Sequence, residues 1–326
     1  MADALEIGLT ALRAHQRAME VTGHNIANAA TPGYSRQRVS MTTPMPERVR
    51  PGMLGRGVEI SAVRRSTDEL LVERLRRSQS ESGRLDGLGA TLSAVEAAFA
   101  EPGEAGFGAS INRFFATIED LSNNPESSAM KSAVAAEMET FPRRLNDLAG
   151  QIEGLRQDLR DALPIQLAEV NAITSQIAEL NQRVSAETLA GNNPNDLLDR
   201  REALCNELST YFDLRVSIDP RDGVARIDLG GRLLVSFDRA TPLVASRAAD
   251  GALAVSFDDG LRAGVSGGSV GALIELDGTV LPAYQERLDG IARAIIANFN
   301  AVYATGTSAD FRGDGFVSER IIASAD

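Results

Sequence analysis

The chain has 326 residues, 43% of them hydrophobic, enough for two or three domains with real cores. Aromatic residues make up only 5% and tryptophan is absent, a composition that favours long helices packed through Leu, Ile, Val and Ala over a compact enzyme core. The net charge of −12 argues against a nucleic-acid partner, because neutralising phosphates requires clustered cations.

Lys131 is the only lysine, and the remaining positive charge is arginine. Cys205 is the sole cysteine, which rules out an intramolecular disulfide or a multi-cysteine zinc site. No run approaches the ~20 apolar residues of a membrane span, and no basic-then-apolar leader opens the chain, so no membrane insertion is expected.

The first element is a helix that starts almost at residue one. Leu5, Leu9, Leu12, Gln16, Met19, Gly23 and Ile26 recur at alternating four- and three-residue steps, the seam of a helix that buries one stripe against another helix. It is closed by Asn25-Ile26-Ala27-Asn28-Ala29-Ala30-Thr31-Pro32-Gly33-Tyr34. Asn28 suits a helix C-terminus, Thr31 is pushed from helical dihedrals by the proline after it, and Pro32-Gly33 is a turn dipeptide. Since the seam finds no partner within the chain, residues 1–30 are expected to order only on assembly.

Residues 35–63 read as extended and irregular, with one short strand around Val58, Ile60 and Ala62. Ser66 and Glu69 form a candidate capping box for a helix running to about Phe99, with the seam Leu71, Leu75, Ser78, Ser82, Leu85, Gly89 and Leu92. At ~1.5 Å per residue it is about 50 Å long. A loop at Pro102-Gly103 and Gly106 leads to a short helix with Ile111, Phe114, Phe115, Ile118 and Leu121 on one face. Asn124-Pro125 should cap the next helix, over 126–190. Its seams are Leu145, Leu148, Ile152, Leu155 and Leu159, then Val170, Ile173, Ile177, Leu180 and Val184. A stutter is expected beside Pro164 and a kink or interruption at Pro142. Gly191 to Pro194 separates it from a further helix ending near Tyr211.

From Asp213 to Gly268 the chain turns to short alternating runs separated by Gly- and Asp-rich turns, a small antiparallel β domain. It is expected to be outward-facing and dispensable, with adjacent entry and exit. Helix returns at about Ser269, with the seam Leu281, Tyr284, Leu288, Ile291, Ile295, Asn298 and Val302. The fold class expected is mainly α: an elongated, coiled-coil-like helical bundle stalk with an inserted small antiparallel β domain. The expected parts are 1–34 as assembly helix and turn, 35–212 and 269–305 as stalk, 213–268 as β domain and 306–326 as an irregular tail.

The terminal seam closed by Asn25, Asn28, Thr31, Pro32, Gly33 and Tyr34 resembles the bacterial flagellar axial proteins, the rod, hook and hook-associated subunits. Ser35-Arg36-Gln37 after the tyrosine is similar to the hook-associated protein 1 family in particular. So are Gly57-Val58-Glu59-Ile60-Ser61-Ala62-Val63-Arg64-Arg65, Phe114-Phe115 through Asp120-Leu121-Ser122-Asn123-Asn124-Pro125, Val170-Asn171-Ala172-Ile173-Thr174, and Asn195-Asp196-Leu197-Leu198-Asp199-Arg200-Arg201. These blocks spread over most of the chain in the family's order.

The resemblance implies a secreted structural subunit of the flagellum, forming an adaptor ring at the hook–filament junction. Its implied partners are its own copies, hook subunits, the next junction protein, an export chaperone and the flagellar type III export apparatus. Leu5, Leu9, Leu12, Met19 and Ile26, with the turn residues Asn25 to Tyr34, are the expected subunit interface. Another axial subunit of the hook or rod, or a secreted coiled-coil adhesin using the β domain and Arg312-Gly313-Asp314, are the alternatives. Family members carry a second terminal helix that pairs with the first. This chain stops at Ala325-Asp326 before it, so either a fragment, a truncated product or a lost terminal domain is expected.

Catalytic groups are sparse, and neither an enzyme nor a cofactor is expected. His15 and His24 stand nine residues apart, not the three or four that put two ligands on one helix face. Gly55-Arg56-Gly57 and Gly267-Gly268-Ser269-Val270-Gly271 lack phosphate-loop spacing and a following lysine. The Asp310 to Gly315 run lacks the full set of calcium-loop acids.

Overall fold

The structure, a computed structural model, describes residues 2–49, 52–100, 103 and 106–304. The tail 306–326, with its Arg-Gly-Asp triplet, lies outside the described residues. The fold is mainly α with antiparallel β segments set between helices. In chain order the elements are α1 (Ala2–Ala27), β1 (Gln37–Thr42), β2 (Glu47–Val49), β3 (Gly52–Leu54), β4 (Glu59–Arg65), α2 (Glu69–Phe99), α3 (Phe107–Asn123), α4 (Ser128–Leu189) and α5 (Asn195–Ser209). There follow β5 (Arg215–Ile218), β6 (Ala225–Leu229), β7 (Arg232–Ser236), β8 (Arg239–Ala240), β9 (Leu243–Arg247), β10 (Leu253–Phe257), α6 (Gly268–Glu275), a π-helical turn (Leu276–Val280) and α7 (Leu281–Ala304).

Two compact units result, and they cut the chain differently from the expected parts. One comprises Met1–Arg84, Gln166–Val244 and Val255–Val270; the other Leu85–Ile165, Ala245–Ala254 and Gly271–Asp326. Helices α2 and α4 each contribute to both, so neither unit is contiguous in sequence.

In the first unit, β1 pairs antiparallel with β4, and β2 with β3. The segment read as irregular is therefore a β ribbon; its alternation is weak because most of its side chains stay exposed. Strands β5 to β8 form an antiparallel meander in sequential order. Ile227, Leu229, Leu234 and Val235 in it are fully buried, matched by buried Ile177 and Val184 of α4. Asn181 fixes that packing: its amide donates to the Ala225 carbonyl at 2.8 Å, and its Oδ1 accepts from the Ala225 N–H and from Arg201. Asn171 does the same for Leu243, donating at 2.9 Å and accepting at 2.8 Å.

The β region is thus part of the core and not an outward decoration, because buried apolar residues stand on both sides of its contact with α4 and its backbone at Ala225 and Leu243 is bonded to helix side chains. Its entry and exit do meet: Asp213 N–H donates to the Ser266 carbonyl at 2.8 Å. Gly268 makes that approach possible, with φ +62 and a position where a Cβ would fall 2.0 Å from the Tyr211 carbonyl carbon.

In the second unit, Phe107, Phe114 and Phe141 stack in series, and Phe299 of α7 lies 5.5 Å from Phe114. Phe115 points away and is half exposed, because one residue along a helix is a rotation of about 100°. Asp277, in the π-helical turn, is fully buried. Its Oδ1 lies 3.3 Å from Arg156 Nε and 3.2 Å from Arg160 Nε, and its Oδ2 accepts the Leu253 N–H at 2.7 Å. No local pattern in sequence signals that widened turn.

The seams of α4 are where the spacing puts them: Leu145, Leu148, Ile152, Leu159, Val170, Ile173, Ile177, Leu180 and Val184 are all buried. The helix is continuous through Pro164, where no break was expected, and through Pro142, which excludes the interruption allowed for there, since packing of this stripe outweighs the loss of one backbone bond at each. On α2 the period is right and the face is wrong. Leu71, Leu75, Leu85 and Leu92 are exposed, while Ser80 and Val95 are buried. On α7, Phe299 replaces the expected Asn298, and Val302 is exposed.

Two caps also differ from the reading. Asp68 caps α2, its carboxylate accepting from the N–H groups of Leu70 and Leu71 at 3.0 and 3.2 Å. Ser127 caps α4, its hydroxyl 3.4 Å from the Met130 N–H, while Asn124 closes α3.

Candidate assembly interface

Helix α1 has two faces. Ala14 and Val21 are buried, with Ile7, Thr10, Ala18 and Asn25 half-buried at the same three- and four-residue steps. This inner face is built of small side chains, and Thr10 Oγ1 accepts the Val58 N–H at 3.3 Å. The leucine seam lies on the other face. Leu5 is 78% exposed, Leu12 71%, Met19 68% and Ile26 72%, with Leu9 exposed as well. Each such side chain left in water forgoes about 1.5 kcal/mol or more of burial. Among the described residues nothing covers this seam, although its spacing is that of a coiled coil.

The turn after α1 is closed by several hydrogen bonds, and its parts have separate tasks. Asn28 donates through Nδ2 to the His24 carbonyl at 3.0 Å and accepts the Thr31 hydroxyl at 3.3 Å. Tyr34 N–H reaches back to the Thr31 carbonyl at 3.2 Å. With Pro32 next and Gly33 at φ +79, this is a type II turn, whose third position requires a left-handed residue. Asn25 ties the helix end to the chain leaving the turn. Its Oδ1 accepts the Tyr34 hydroxyl and the Gln37 N–H, both at 2.8 Å, and its Nδ2 donates to the Gln37 carbonyl at 2.9 Å. His24 Nδ1 sits 2.9 Å from the Tyr34 oxygen.

This unit is bolted onto α5. Ser35 N–H donates to Asp199 Oδ2 at 3.1 Å, and Arg65 of β4 donates to Asp199 Oδ1 at 2.7 Å and to Glu202 at 2.8 Å. Asn195 donates to the Val63 carbonyl at 2.9 Å, and Gln37 reaches Asp196 at 3.4 Å. Arg65 and Asp199 are nearly buried, each keeping about a tenth of its side chain exposed. Burial, with Asp199 and Asp196 behind it, holds the Tyr34 hydroxyl above its ordinary pKa, so it stays a donor at neutral pH.

The structure therefore gathers Asn25, Asn28, Thr31, Pro32, Gly33 and Tyr34 into one turn and leaves Leu5, Leu9, Leu12, Met19 and Ile26 on a free face. The anchors Arg65, Asn195, Asp199 and Glu202 were not legible as such. The run Asn195 to Arg201 stood out in sequence, but no spacing rule links it to a turn some 160 residues earlier.

A Gly33→Val change should cost about 1–2 kcal/mol, because a β-branched residue is strained at positive φ. A Cβ there meets only Ala203 Cβ at 3.4 Å, an ordinary contact, so the loss is conformational. Urea unfolding of the variant beside Gly33→Asn, which tolerates the left-handed region, checks this; equal stability of the two would contradict it.

Cys205 is buried, and burial pushes its thiol up to about 11, which keeps it a neutral thiol. Among the described residues no group of His, Cys, Asp and Glu could hold a metal ion, and no helix is long and apolar enough to cross a membrane.

Long helices with buried seams are thus joined to a terminal helix whose leucine seam is exposed and whose end is closed by a hydrogen-bonded turn, and two family models match these two parts. The family model of the flagella basal body rod protein matches residues 5–34, which is α1 with its turn. The model of the flagellar hook-associated protein FlgK helical domain matches residues 92–316. That second match spans well over half of the chain, and the chain belongs to this family.

Flagellar hook-associated protein 1 of Bacillus subtilis is 30% identical over 71% of this chain and 47% of its own length. The protein of the same name from Salmonella typhimurium is 26% identical over 95% of this chain and 58% of its own. The chain thus spans about half the length of these relatives. The flagellar hook junction protein FlgK from Burkholderia pseudomallei, at 22% identity and a TM-score of 0.59 over 72% of this chain and 44% of that one, shares the fold.

Proposed function

We propose that this chain is a structural, non-catalytic subunit of the bacterial flagellum. It is exported by the flagellar type III apparatus with its chaperone and forms an adaptor ring at the hook–filament junction. Contacts run to its own copies, to hook subunits and to the next junction protein. The observation that carries this reading is the α1 seam, with Leu5, Leu9, Leu12, Met19 and Ile26 exposed at coiled-coil spacing. The turn from Asn25 to Tyr34 holds that seam at a fixed exit from the body. A free globular protein has no use for such a face; an axial subunit buries it against neighbouring helices.

Deleting the gene in its own host tests the proposal. The expected result is hooks without filaments, flagellin shed into the medium and loss of swimming, restored by the intact gene but not by one carrying Leu5→Glu, Leu12→Glu and Met19→Glu. Normal filaments in the deletion strain would refute it.

A further inference from the structure

The β ribbon carries a charge opposite to the rest of the molecule. Between residues 35 and 66 stand seven arginines against Glu47 and Glu59, a net of +5 in a chain of net −12. Five of them, Arg36, Arg38, Arg48, Arg56 and Arg64, are exposed, and none has an ion pair among the described residues. Exposed arginines with no ion pair among the described residues, such as Arg13, Arg74 and Arg183, also occur elsewhere, and what marks the ribbon is their concentration in one short segment. Arg38 and Arg64 even stand directly opposite each other across the β1–β4 ladder, an arrangement that repels unless an anion arrives from outside. Beside these charges the ribbon exposes Met45 (89%) and Met53 (64%), with Leu54 and Met41, flexible apolar side chains suited to moulding onto another surface.

We propose that this basic, methionine-bearing ribbon docks on a second copy of the same chain, against the acidic helices over residues 85–142. That stretch holds nine acidic residues against Arg113 and Lys131, a net of −7. Glu96, Glu119, Asp120 and Glu126 are exposed there without an ion pair among the described residues, and Leu85, Leu92 and Phe115 are exposed on the same helices. Charge and apolar surface are thus complementary on both sides, which steers two copies into one orientation and disfavours others. A basic patch on one part of a subunit and an acidic one on another make a head-to-tail contact, the kind that closes a ring. The inference rests on the reading of the chain as a self-associating junction subunit and adds the surface by which neighbours meet.

Sedimentation of the full chain at ~50 mM and ~500 mM salt tests it, because exposed ion pairs are screened within a Debye length. Self-association is expected at the lower salt and should weaken at the higher. Arg48→Glu with Arg56→Glu should weaken it by about tenfold or more, with an unchanged circular dichroism spectrum. Mixing that variant with a Glu119→Arg, Asp120→Arg chain should restore association, whereas either variant alone remains weak.

A chain that stays monomeric at both salts, an arm variant that associates like the parent, or a charge swap without rescue would each overturn the proposal. Arginine-dependent binding to anionic vesicles in place of self-association would overturn it too, by making a lipid surface the partner. Failure here is separable from failure of the junction reading: filament shedding in the deletion strain supports the latter whatever the charge swap does.

Discussion

Replacing Asp277 with alanine should lower the stability of the protein by about 3–5 kcal/mol, the range for removing one partner from a buried ion pair. The carboxylate is fully buried, and three groups depend on it: Arg156, Arg160 and the Leu253 N–H. Both guanidinium groups keep less than a fifth of their side chains exposed, so neither can turn fully to water when the carboxylate goes. Arg156 retains Gln285, Glu153 and the backbone carbonyl of residue 277 as partners, and Arg160 retains Glu153. The two cations would then share one carboxylate that is itself half exposed.

The Leu253 N–H would lose its acceptor, freeing the hairpin of β9 and β10 from the π-helical turn. Urea unfolding gives the stability change, and hydrogen exchange at Leu253 gives the local one. Asp277→Asn should fall in between, since the amide oxygen can still accept from Leu253 but carries no charge. A loss below about 1 kcal/mol for the alanine variant would show that Arg156 and Arg160 are satisfied by solvent.

The same cluster shows why sequence alone reads some of this molecule and not the rest. Periodicity records that a helix has a stripe. It does not record what covers the stripe. On α4 the regular Leu, Ile and Val positions are buried as spaced, each stretch of the helix within its own compact unit. On α1 and α2 the leucines keep the same spacing yet stay exposed, and a second face of Ala, Ser, Thr and Val does the packing instead. Small side chains give little hydrophobic contrast, so the inner face is invisible to a search for leucines although it shares the period.

Local signals mislead in a related way. Ser66 with Glu69 satisfies the capping-box pattern, but Asp68 is the residue at the helix boundary and takes the two free N–H groups. At the candidate interface, the turn from Asn25 to Tyr34 was legible because proline and glycine dictate backbone angles by themselves. Its anchor on α5 was not, because Asp199, Arg65 and Ser35 are brought together only by the fold, and a charged residue on a helix reads as solvated until its partner is known. The blocks that resemble the hook-associated family include both sides of that contact.

The anchor is where the second large effect is expected. An Asp199→Ala variant should lose about 2–3 kcal/mol, less than a fully broken buried pair because Glu202 still holds Arg65. Two bonds vanish at once: the one from Arg65 at 2.7 Å and the one from the Ser35 backbone N–H at 3.1 Å. Ser35 is the residue that directly follows the turn, so its release should let the Tyr34–Asn25 clasp open while the meander keeps its Asn181 contact and β9 its Asn171 contact on α4.

Hydrogen exchange should therefore rise at Ser35 and Gln37 and stay unchanged at Ala225 and Leu243, whose N–H groups bond to α4 side chains. Asp199→Asn should keep part of the Ser35 bond and lose the ion pair, giving an intermediate result. If α1 must leave the body at a fixed angle for its seam to meet neighbouring helices, the alanine variant should also assemble poorly in cells while remaining folded. Unchanged protection at Ser35 together with a stability loss below about 0.5 kcal/mol would mean that Asp196, Asn195 and Glu202 hold the turn without Asp199.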